Sequence, residues 1–383
     1  MRKKRVLLLS EGFGTGHTQA AHALEKGLKQ LYPDVNARVI ELGKILNPML
    51  APFILGAYRK TVTSTPRLIG LIYRSQNKRL NGFRRLALHR LFYSHTSKVI
   101  TQLNPDVVIC THPFPSAIIS RLKRQGLDIP LYTLITDYDA HGAWISPEVN
   151  QFLVSTPKVG SMLRQKQVEP CRIQVTGIPI HPDFWKEQSK QEAREELQLK
   201  ALPTVMIMGG GWGLPLTDQL MEQMASWADK IQLLFCLGNN EKLIHRLKGS
   251  PLYQHPHIRI LGYTNEISKL MNVADLLVTK PGGMTCTEGM AKGLPMFFAP
   301  PLPGQEEENC EYFVESGFGV VLKDSRTLDE HFIRLTTRFS ETERGTAISR
   351  PEEYDPEICT RTVYKLLTQH ASSTEEEMIL NIR

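Results

Sequence analysis

Short apolar segments recur along the chain, with predicted helices between them. Continuous apolar runs are typical of strands that are buried in a parallel sheet. Strands that alternate with helices predict parallel sheets with right-handed crossovers. The predicted strands are Arg5–Leu9, Val35–Ile40, Val107–Cys110, Leu131–Ile135, Gln151–Ser155 and Ile173–Thr176, then Thr204–Met208, Gln232–Leu237, Ile258–Leu261, Leu276–Val278, Met296–Ala299 and Val320–Val321. A charged helical stretch, Lys186–Lys200, separates the two series, so we expect an α/β protein with two doubly wound, Rossmann-like domains and an interdomain cleft.

The chain is long enough for two separate cores, since it has 383 residues, of which 41% are hydrophobic. We place an N-terminal domain at residues 1–185, a C-terminal domain at 200–350, and a terminal helix and tail at 351–383. The six cysteines are scattered without a CxxC pair, which argues against a disulfide framework or zinc site and favours a cytoplasmic protein. No segment approaches about 18 unbroken apolar residues, so we expect no membrane-spanning helix.

Positive charge is concentrated in one segment of the sequence. The formal net charge is +7, and residues 42–105 contain eleven Lys or Arg but no Asp or Glu. Apolar residues lie among these cations, which favours partial insertion into an anionic membrane surface. An ordinary basic helical face is one alternative, and nucleic acid is another, although no nucleic-acid motif accompanies the segment. The cations that we expect to contact the membrane or an acceptor are Arg59, Lys60, Arg67, Arg74, Lys78 and Arg79.

Each predicted domain begins with a strand followed by a glycine-rich loop. Ligands of open α/β sheets bind beyond the carboxyl ends of the strands, so the two loops predict one ligand site in the cleft. The loop residues expected at that site are Gly14 and Gly16 in the first domain and Gly210, Gly211 and Trp212 in the second.

His17 follows the first loop at the start of a predicted helix. The helix dipole disfavours the imidazolium cation at this end, and a neutral imidazole is the form that a general base requires. A surface histidine without function is the alternative. The loop also resembles a dinucleotide fingerprint, with Glu41 as a ribose-binding acid, but a dehydrogenase leaves His17 and the second loop without roles.

A third glycine turn, Gly282-Gly283, follows an apolar strand in the second domain. The helix that begins near Met284 directs free N–H groups and its dipole toward a ligand, which suits a diphosphate. Glu288, one turn further, can accept hydrogen bonds from a sugar diol, whereas a solvated acidic loop is the alternative. The residues of this region that we expect to contact the ligand are Gly282, Gly283, Met284, Thr285, Glu288, Gln305, Glu306 and Asn309.

Asp137 lies at the carboxyl end of a predicted strand, within Asp137-Tyr138-Asp139. A DxD sequence holds a metal–diphosphate complex in one class of sugar transferase, but helix dipoles suffice to neutralise a diphosphate in a chain with two Rossmann-like domains, and we expect no metal. Asp137 can instead position or deprotonate an acceptor hydroxyl, or it is an exposed turn residue. His141 and Trp144 follow closely and are candidates for the acceptor cavity, although Trp144 fits a core position equally well.

An ordered set of motifs resembles a known family. The motifs are Gly14-Thr15-Gly16-His17, Thr136-Asp137-Tyr138 with His141 and Trp144, Thr176-Gly177-Ile178-Pro179-Ile180, Lys280-Pro281-Gly282-Gly283 with Thr285 and Glu288, and Pro303-Gly304-Gln305-Glu306 with Asn309. Together, over residues 5–340, they resemble the monogalactosyldiacylglycerol synthase and processive diacylglycerol glucosyltransferase family of GT-B glycosyltransferases, within family 28.

The resemblance implies a role for each matched position. Glu288 would hold the ribose of UDP, residues 283–285 the diphosphate, and Gln305 and Glu306 the sugar hydroxyls. The uracil would lie near Tyr263. Either His17 or Asp137 would act on the acceptor hydroxyl, and the basic segment would dock on the membrane and admit diacylglycerol.

The resemblance, together with the basic segment, therefore implies a peripheral enzyme on the inner face of the cell membrane. It would transfer a hexose from a UDP-sugar to diacylglycerol or a glycosyl-diacylglycerol, without a metal or other cofactor. Inversion at the sugar, and hence a β-glycoside, is what the family favours. Glucose is favoured over galactose as the donor sugar by the resemblance alone. The alternatives are a transferase with a soluble or lipid-linked acceptor such as a cell-wall precursor, and a UDP-sugar sensor without turnover.

Overall fold

The protein folds into two compact units, each built on one parallel sheet. A computed structural model describes residues 2–12, 15–46, 56, 96–209, 216–342 and 354–381. The first unit comprises Met1–Trp185 with Asp355–Arg383, and the second comprises Lys186–Tyr354. Each unit contains a six-stranded sheet in which all neighbouring strands are parallel.

The first sheet has the strand order β2-β1-β3-β4-β5-β6, so that β1, β3 and β4 are neighbours at its centre. The elements of this unit before residue 186 are β1 (Lys4–Ser10), α1 (Thr15–Leu31), β2 (Val35–Glu41), α2 (Leu42–Leu46), α3 (Thr96–Leu103), β3 (Val107–Cys110), α4 (Pro113–Arg124), β4 (Leu131–Leu134), β5 (Gln151–Val154), α5 (Pro157–Gln165) and β6 (Ile173–Val175). The register aligns Leu9 with Cys110 and Cys110 with Thr133. Residues that follow these three strands therefore lie at one edge of the sheet.

The second sheet has the strand order β12-β11-β10-β7-β8-β9. Its unit contains α6 (Lys190–Glu196), β7 (Thr204–Met208), α7 (Asp218–Ala225), β8 (Gln232–Cys236), α8 (Glu241–Lys248), β9 (Ile258–Leu261), α9 (Ile267–Val273), β10 (Leu276–Thr279), α10 (Gly283–Ala291), β11 (Met296–Phe298), α11 (Gln305–Glu315), β12 (Gly319–Val321) and α12 (Ser325–Thr342). Thr279 pairs with both Met208 and Phe298, so the carboxyl ends of β7, β10 and β11 are level.

All the predicted strands are present, and each predicted end lies within one residue of the observed end. Their side chains form the core of each unit because a strand in the middle of a parallel sheet is buried on both faces. The charged helix between the series is shorter than predicted. It spans Lys190–Glu196 because Ser189 Oγ caps its start, accepting from the Glu192 N–H at 3.3 Å, and Gln198 ends it with a positive φ of 51°.

The C-terminal helix α13 (Ile358–Asn381) packs against α1 in the first unit. The rings of Tyr32 and Tyr364 stack with their centroids 3.7 Å apart. The helix approaches closely at Gly27, where an added Cβ would lie 2.7 Å from Thr360 Oγ1. A glycine on α1 therefore allows α13 to return to the first unit.

Across the described part of the chain, no helix combines the length and the apolar character needed to cross a membrane. The six basic residues that were predicted to contact a membrane or an acceptor lie outside the described residues. Their predicted role remains a prediction; they are Arg59, Lys60, Arg67, Arg74, Lys78 and Arg79.

Candidate active site

In the first unit, a cluster of imidazole and hydroxyl groups lies at the carboxyl edge of β1, β3 and β4. His17 is in the first turn of α1, after β1, while His112 follows β3 and Thr136 follows β4. The strand order and register bring these three side chains together, although 119 residues separate His17 from Thr136. This is the edge at which open α/β sheets bind ligands.

His17 is held by neighbours on several sides. Its Nδ1 lies 2.6 Å from Thr136 Oγ1, and its ring meets the His112 ring edge to face at a centroid distance of 4.8 Å. Burial and, to a smaller extent, the His141 ring together lower the pKa of His17 to about 4, although a hydrogen bond to the Thr111 backbone partly opposes them. His17 is therefore neutral at physiological pH, as a general base must be.

Asp137 is almost completely buried, so it differs from the exposed turn residue that was one alternative. Its Oδ2 accepts a hydrogen bond from Trp144 Nε1 at 3.2 Å, and its main-chain oxygen accepts one from Ser155 Oγ at 2.7 Å. Asp137 is thus held beside the cluster by its hydrogen bonds with Trp144 and Ser155. Its action on an acceptor stays a prediction.

Trp144 has no exposed surface and packs in the core of the first unit. It reaches the cluster through its contacts with Asp137 and with the His17 ring, whose centroid lies 5.9 Å from its own. His141 is also buried, and burial lowers its pKa to about 4. A direct contact of either residue with an acceptor remains a prediction.

His112 belongs to this cluster and was not predicted from the sequence. Its ring is buried, and its Nδ1 accepts a hydrogen bond from the Phe114 N–H at 3.2 Å. Its pKa lies well below the ordinary value because of burial, and because of the nearby His17 and His141 rings. The sequence signal that could have revealed it is the polar pair Thr111-His112, which follows the buried strand β3.

In the second unit, α10 begins directly after β10 and directs its N-terminus toward the carboxyl edge of the sheet. Gly282 is the N-cap, with extended backbone angles, and it has no side chain that could cap the N–H groups of the first turn. Gly283, Met284 and Thr285 form the first turn, and Thr285 keeps part of its surface exposed. Main-chain N–H groups at such an end attract an anion, and contact of these residues with a diphosphate stays a prediction.

Glu288 lies one turn further along α10 and is only partly exposed. Burial raises the pKa of Glu288 to about 8. Most molecules therefore carry a neutral Glu288 at pH 7, and a ligand that needs the carboxylate must displace its proton. This property could not be inferred from the helix spacing that identified Glu288.

Lys280 and Glu306 join the loop after β10 to the start of α11. Lys280 Nζ lies 2.9 Å from Glu306 Oε1, and Glu306 Oε2 accepts from the Leu302 N–H at 3.1 Å. Asn309, which is fully buried, makes a second link by donating to the Pro281 carbonyl at 3.2 Å. Glu306 and Asn309 thus organise the loop around the helix start, and their direct contact with a donor stays a prediction.

Of the remaining predicted positions, the structure describes Gln305, Tyr263 and Gly16, and it does not describe the others. Gln305 begins α11 after Gly304, whose φ of 107° is one that glycine adopts readily, and Tyr263 follows β9 with 67% of its surface exposed. Gly16 lies in the first turn of α1. The residues outside the described part of the chain are Gly14, Gly210, Gly211 and Trp212.

Family models match both units of the chain. The model for monogalactosyldiacylglycerol (MGDG) synthase matches residues 17–180, and that for the glycosyltransferase family 28 C-terminal domain matches residues 204–344. The two matches therefore include the histidine cluster and the start of α10, respectively.

Two similar proteins are processive diacylglycerol beta-glucosyltransferases. That of Bacillus cereus is 31% identical over 85% of this chain and 83% of its own length. That of Staphylococcus carnosus is 27% identical over 98% of this chain and 96% of its own length. Matches of this extent leave no large part of either relative without a counterpart.

Solved structures support the fold. Acinetobacter baumannii MurG superimposes with a TM-score of 0.61 at 16% identity, covering 96% of this chain and 99% of that one. Anabaena Alr3699/HepE, solved in complex with UDP-glucose, gives a TM-score of 0.58 at 14% identity with the same coverage. Their architecture is the predicted GT-B fold.

Proposed function

The chain belongs to the family of monogalactosyldiacylglycerol synthases and processive diacylglycerol β-glucosyltransferases, and from this premise we propose that it transfers glucose from UDP-glucose to diacylglycerol, or to a glycosyl-diacylglycerol, to make glycolipid. The observation that carries the proposal is the likeness to a diacylglycerol glucosyltransferase over 85% of the chain, together with the family models that match both candidate half-sites. The fold alone would not define the acceptor, because one fold supports many activities.

The donor binds at the start of α10 in this proposal. The N–H groups of Gly283, Met284 and Thr285 receive the diphosphate, and the helix dipole stabilises its charge. Glu288 accepts hydrogen bonds from the ribose hydroxyls as a carboxylate, while Gln305 contacts the sugar. The Lys280–Glu306 ion pair supports this arrangement because it fixes the loop beside the helix start.

The acceptor is activated by His17. Nδ1 is held by Thr136, so Nε2 takes the proton as the acceptor oxygen attacks C1 of glucose. The new C–O bond forms on the face opposite the departing oxygen of UDP, and UDP leaves with the electron pair of the broken bond. An α-linked donor then yields a β-glucoside. Asp137 is the weaker candidate for the base because it is buried and bonded to Trp144.

The same dipole that binds the diphosphate stabilises the leaving UDP, so the proposed reaction needs no metal ion. The acid-free segment 42–105 attaches the enzyme to anionic lipid at the membrane surface, where the acceptor resides. Both points are tested by the same preparation of enzyme and vesicles.

The test uses purified protein, vesicles that contain diacylglycerol with or without phosphatidylglycerol, and three separate donors: UDP-glucose, UDP-galactose and UDP-N-acetylglucosamine. We expect a glucolipid on thin-layer chromatography with UDP-glucose, undiminished by EDTA, and sedimentation of the protein with the anionic vesicles. Glu288→Gln should weaken donor use.

Three outcomes would contradict separate parts of the proposal. Release of UDP without a lipid product would refute diacylglycerol as acceptor, whereas no turnover of any donor would favour a sensor. Loss of activity in EDTA, restored by Mg²⁺, would refute the metal-independent reaction. Failure to sediment even with anionic vesicles would refute the role of the basic segment.

A further inference from the structure

We propose that His112 is a positioning residue for the transfer reaction: it fixes the ring of His17 in its working orientation and shields that ring from water. This inference rests on the proposed function, in which His17 is the base. It is carried by the packing of the buried His112 ring against the partly exposed His17 ring, and the sequence motifs did not include His112.

The backbone fixes His112 itself. It is the N-cap of α4, with extended φ and ψ of −140° and 143°, and its Nδ1 accepts the Phe114 N–H at 3.2 Å. The Phe114 ring stacks on the His112 ring, with centroids 5.3 Å apart and planes 21° apart. Because α4 starts at this residue, the imidazole cannot rotate without losing the cap.

The cap also determines the tautomer of His112. Since Nδ1 accepts a hydrogen bond, the neutral ring carries its proton on Nε2. The ring stays neutral because burial, with the nearby His17 and His141, holds its pKa well below the ordinary value. His112 is therefore a rigid, uncharged neighbour and does not compete for the proton that His17 receives.

The His112 ring forms one wall around His17. The two rings are perpendicular, with planes 87° apart and centroids 4.8 Å apart, a favoured aromatic geometry. Trp144 lies against His17 at 5.9 Å, and Thr136 contacts its Nδ1. Removal of the His112 ring would open one side to water and allow His17 to turn away from the acceptor.

Two substitutions separate the cap from the ring. His112→Asn keeps a side-chain acceptor that is among the best N-caps but removes the ring. His112→Phe keeps a ring of similar size and removes the cap. Among the described residues, the titratable groups that act on His17 are His112, through the ring contact, and His141, through its charge, and neither substitution alters His141.

The experiment combines steady-state kinetics on diacylglycerol vesicles with an NMR titration of the His17 imidazole in the full-length protein. For His112→Asn we expect kcat to fall by about tenfold or more, with the KM for UDP-glucose within about twofold of wild type. The pKa of His17 should rise from about 4 toward its ordinary value because water reaches the ring. His112→Phe should melt at a lower temperature, yet recover part of kcat relative to His112→Asn and keep the low pKa.

The inference requires both the fall in kcat and the rise in the pKa of His17 in His112→Asn. A normal kcat or an unchanged pKa of His17 would therefore each overturn it. Equal loss of kcat in His112→Phe and His112→Asn would also overturn it, since the ring would then not be the cause. His22→Asn is the matched control, since His22 is a half-exposed histidine on α1 that contacts Glu25 on the same helix. If wild type makes no glucolipid, the proposed function fails, whereas the NMR titration still tests the shielding of His17 by His112.

Discussion

Binding of UDP should release a proton from Glu288. The free protein holds this side chain with a pKa of about 8 because burial disfavours the carboxylate. Two ribose hydroxyls, as donors, require the carboxylate as acceptor, so binding selects the deprotonated form. The perturbation is therefore a change of pH at a fixed UDP concentration, and the response reports on Glu288, the acidic residue within α10.

The magnitude follows from the pKa. With a value of about 8, roughly 0.9 of the molecules carry the proton at pH 7, so each binding event at that pH releases about 0.9 proton. Deprotonation at pH 7 costs about 1.4 kcal/mol, and the Kd for UDP should fall about tenfold between pH 7 and pH 9. His17, with a pKa of about 4, stays neutral throughout this range and adds nothing.

Isothermal titration calorimetry measures the release directly. The apparent enthalpy of binding at pH 7, in buffers with different enthalpies of ionisation, varies with a slope equal to the number of protons released. Glu288→Gln is the control, since an amide cannot titrate in this range; its slope should be near zero and its Kd nearly constant from pH 7 to pH 9.

A wild-type slope near zero would refute this reasoning, because Glu288 would then bind the ribose as a neutral acid or not bind it. An equal slope in Glu288→Gln would place the released proton on another group.

The remaining predictions concern activity and packing. His17→Ala should lower kcat by about 10²- to 10⁴-fold with little change in the KM for UDP-glucose, and His22→Ala on the same helix should leave both unchanged in the vesicle assay. Asn309→Leu removes the donor to the Pro281 carbonyl and should cost about 1–3 kcal/mol in chemical denaturation, whereas retained stability would show that this link is dispensable. Gly289→Ala would place a Cβ 3.0 Å from a methionine sulfur on β11, so overpacking of about 1–3 kcal/mol should exceed the helix propensity gained; a higher melting temperature would refute that contact.

The strands could be predicted from the sequence because each one is short, apolar and buried. Val107–Cys110 and Thr204–Met208 are buried along nearly their whole length, so their boundaries coincide with those of the apolar runs. The helix at Lys190–Glu196 was predicted too long, since its ends depend on a cap at Ser189 and a positive φ at Gln198. Such local hydrogen bonds and backbone angles leave little trace in an apolar pattern.

The candidate site could be predicted only in part. His17 and Glu288 stood out because each follows a glycine turn at a helix start. His112 did not, because it lies beside His17 only through the pairing of β3 with β1, and the sequence does not show the strand order. The ionisation of Glu288 depends on its burial, and burial is a property of the packed unit.

The proposed glucosyltransferase activity is tested most directly by the structure of its product. Protein incubated with UDP-glucose and diacylglycerol vesicles should yield a lipid whose anomeric proton shows the large diaxial coupling of a β-glucoside in ¹H NMR, with mass spectrometry confirming one or more added hexoses. An α-glucoside would contradict the inverting reaction at His17, and UDP release with no glycosylated lipid would contradict the assignment of diacylglycerol as acceptor.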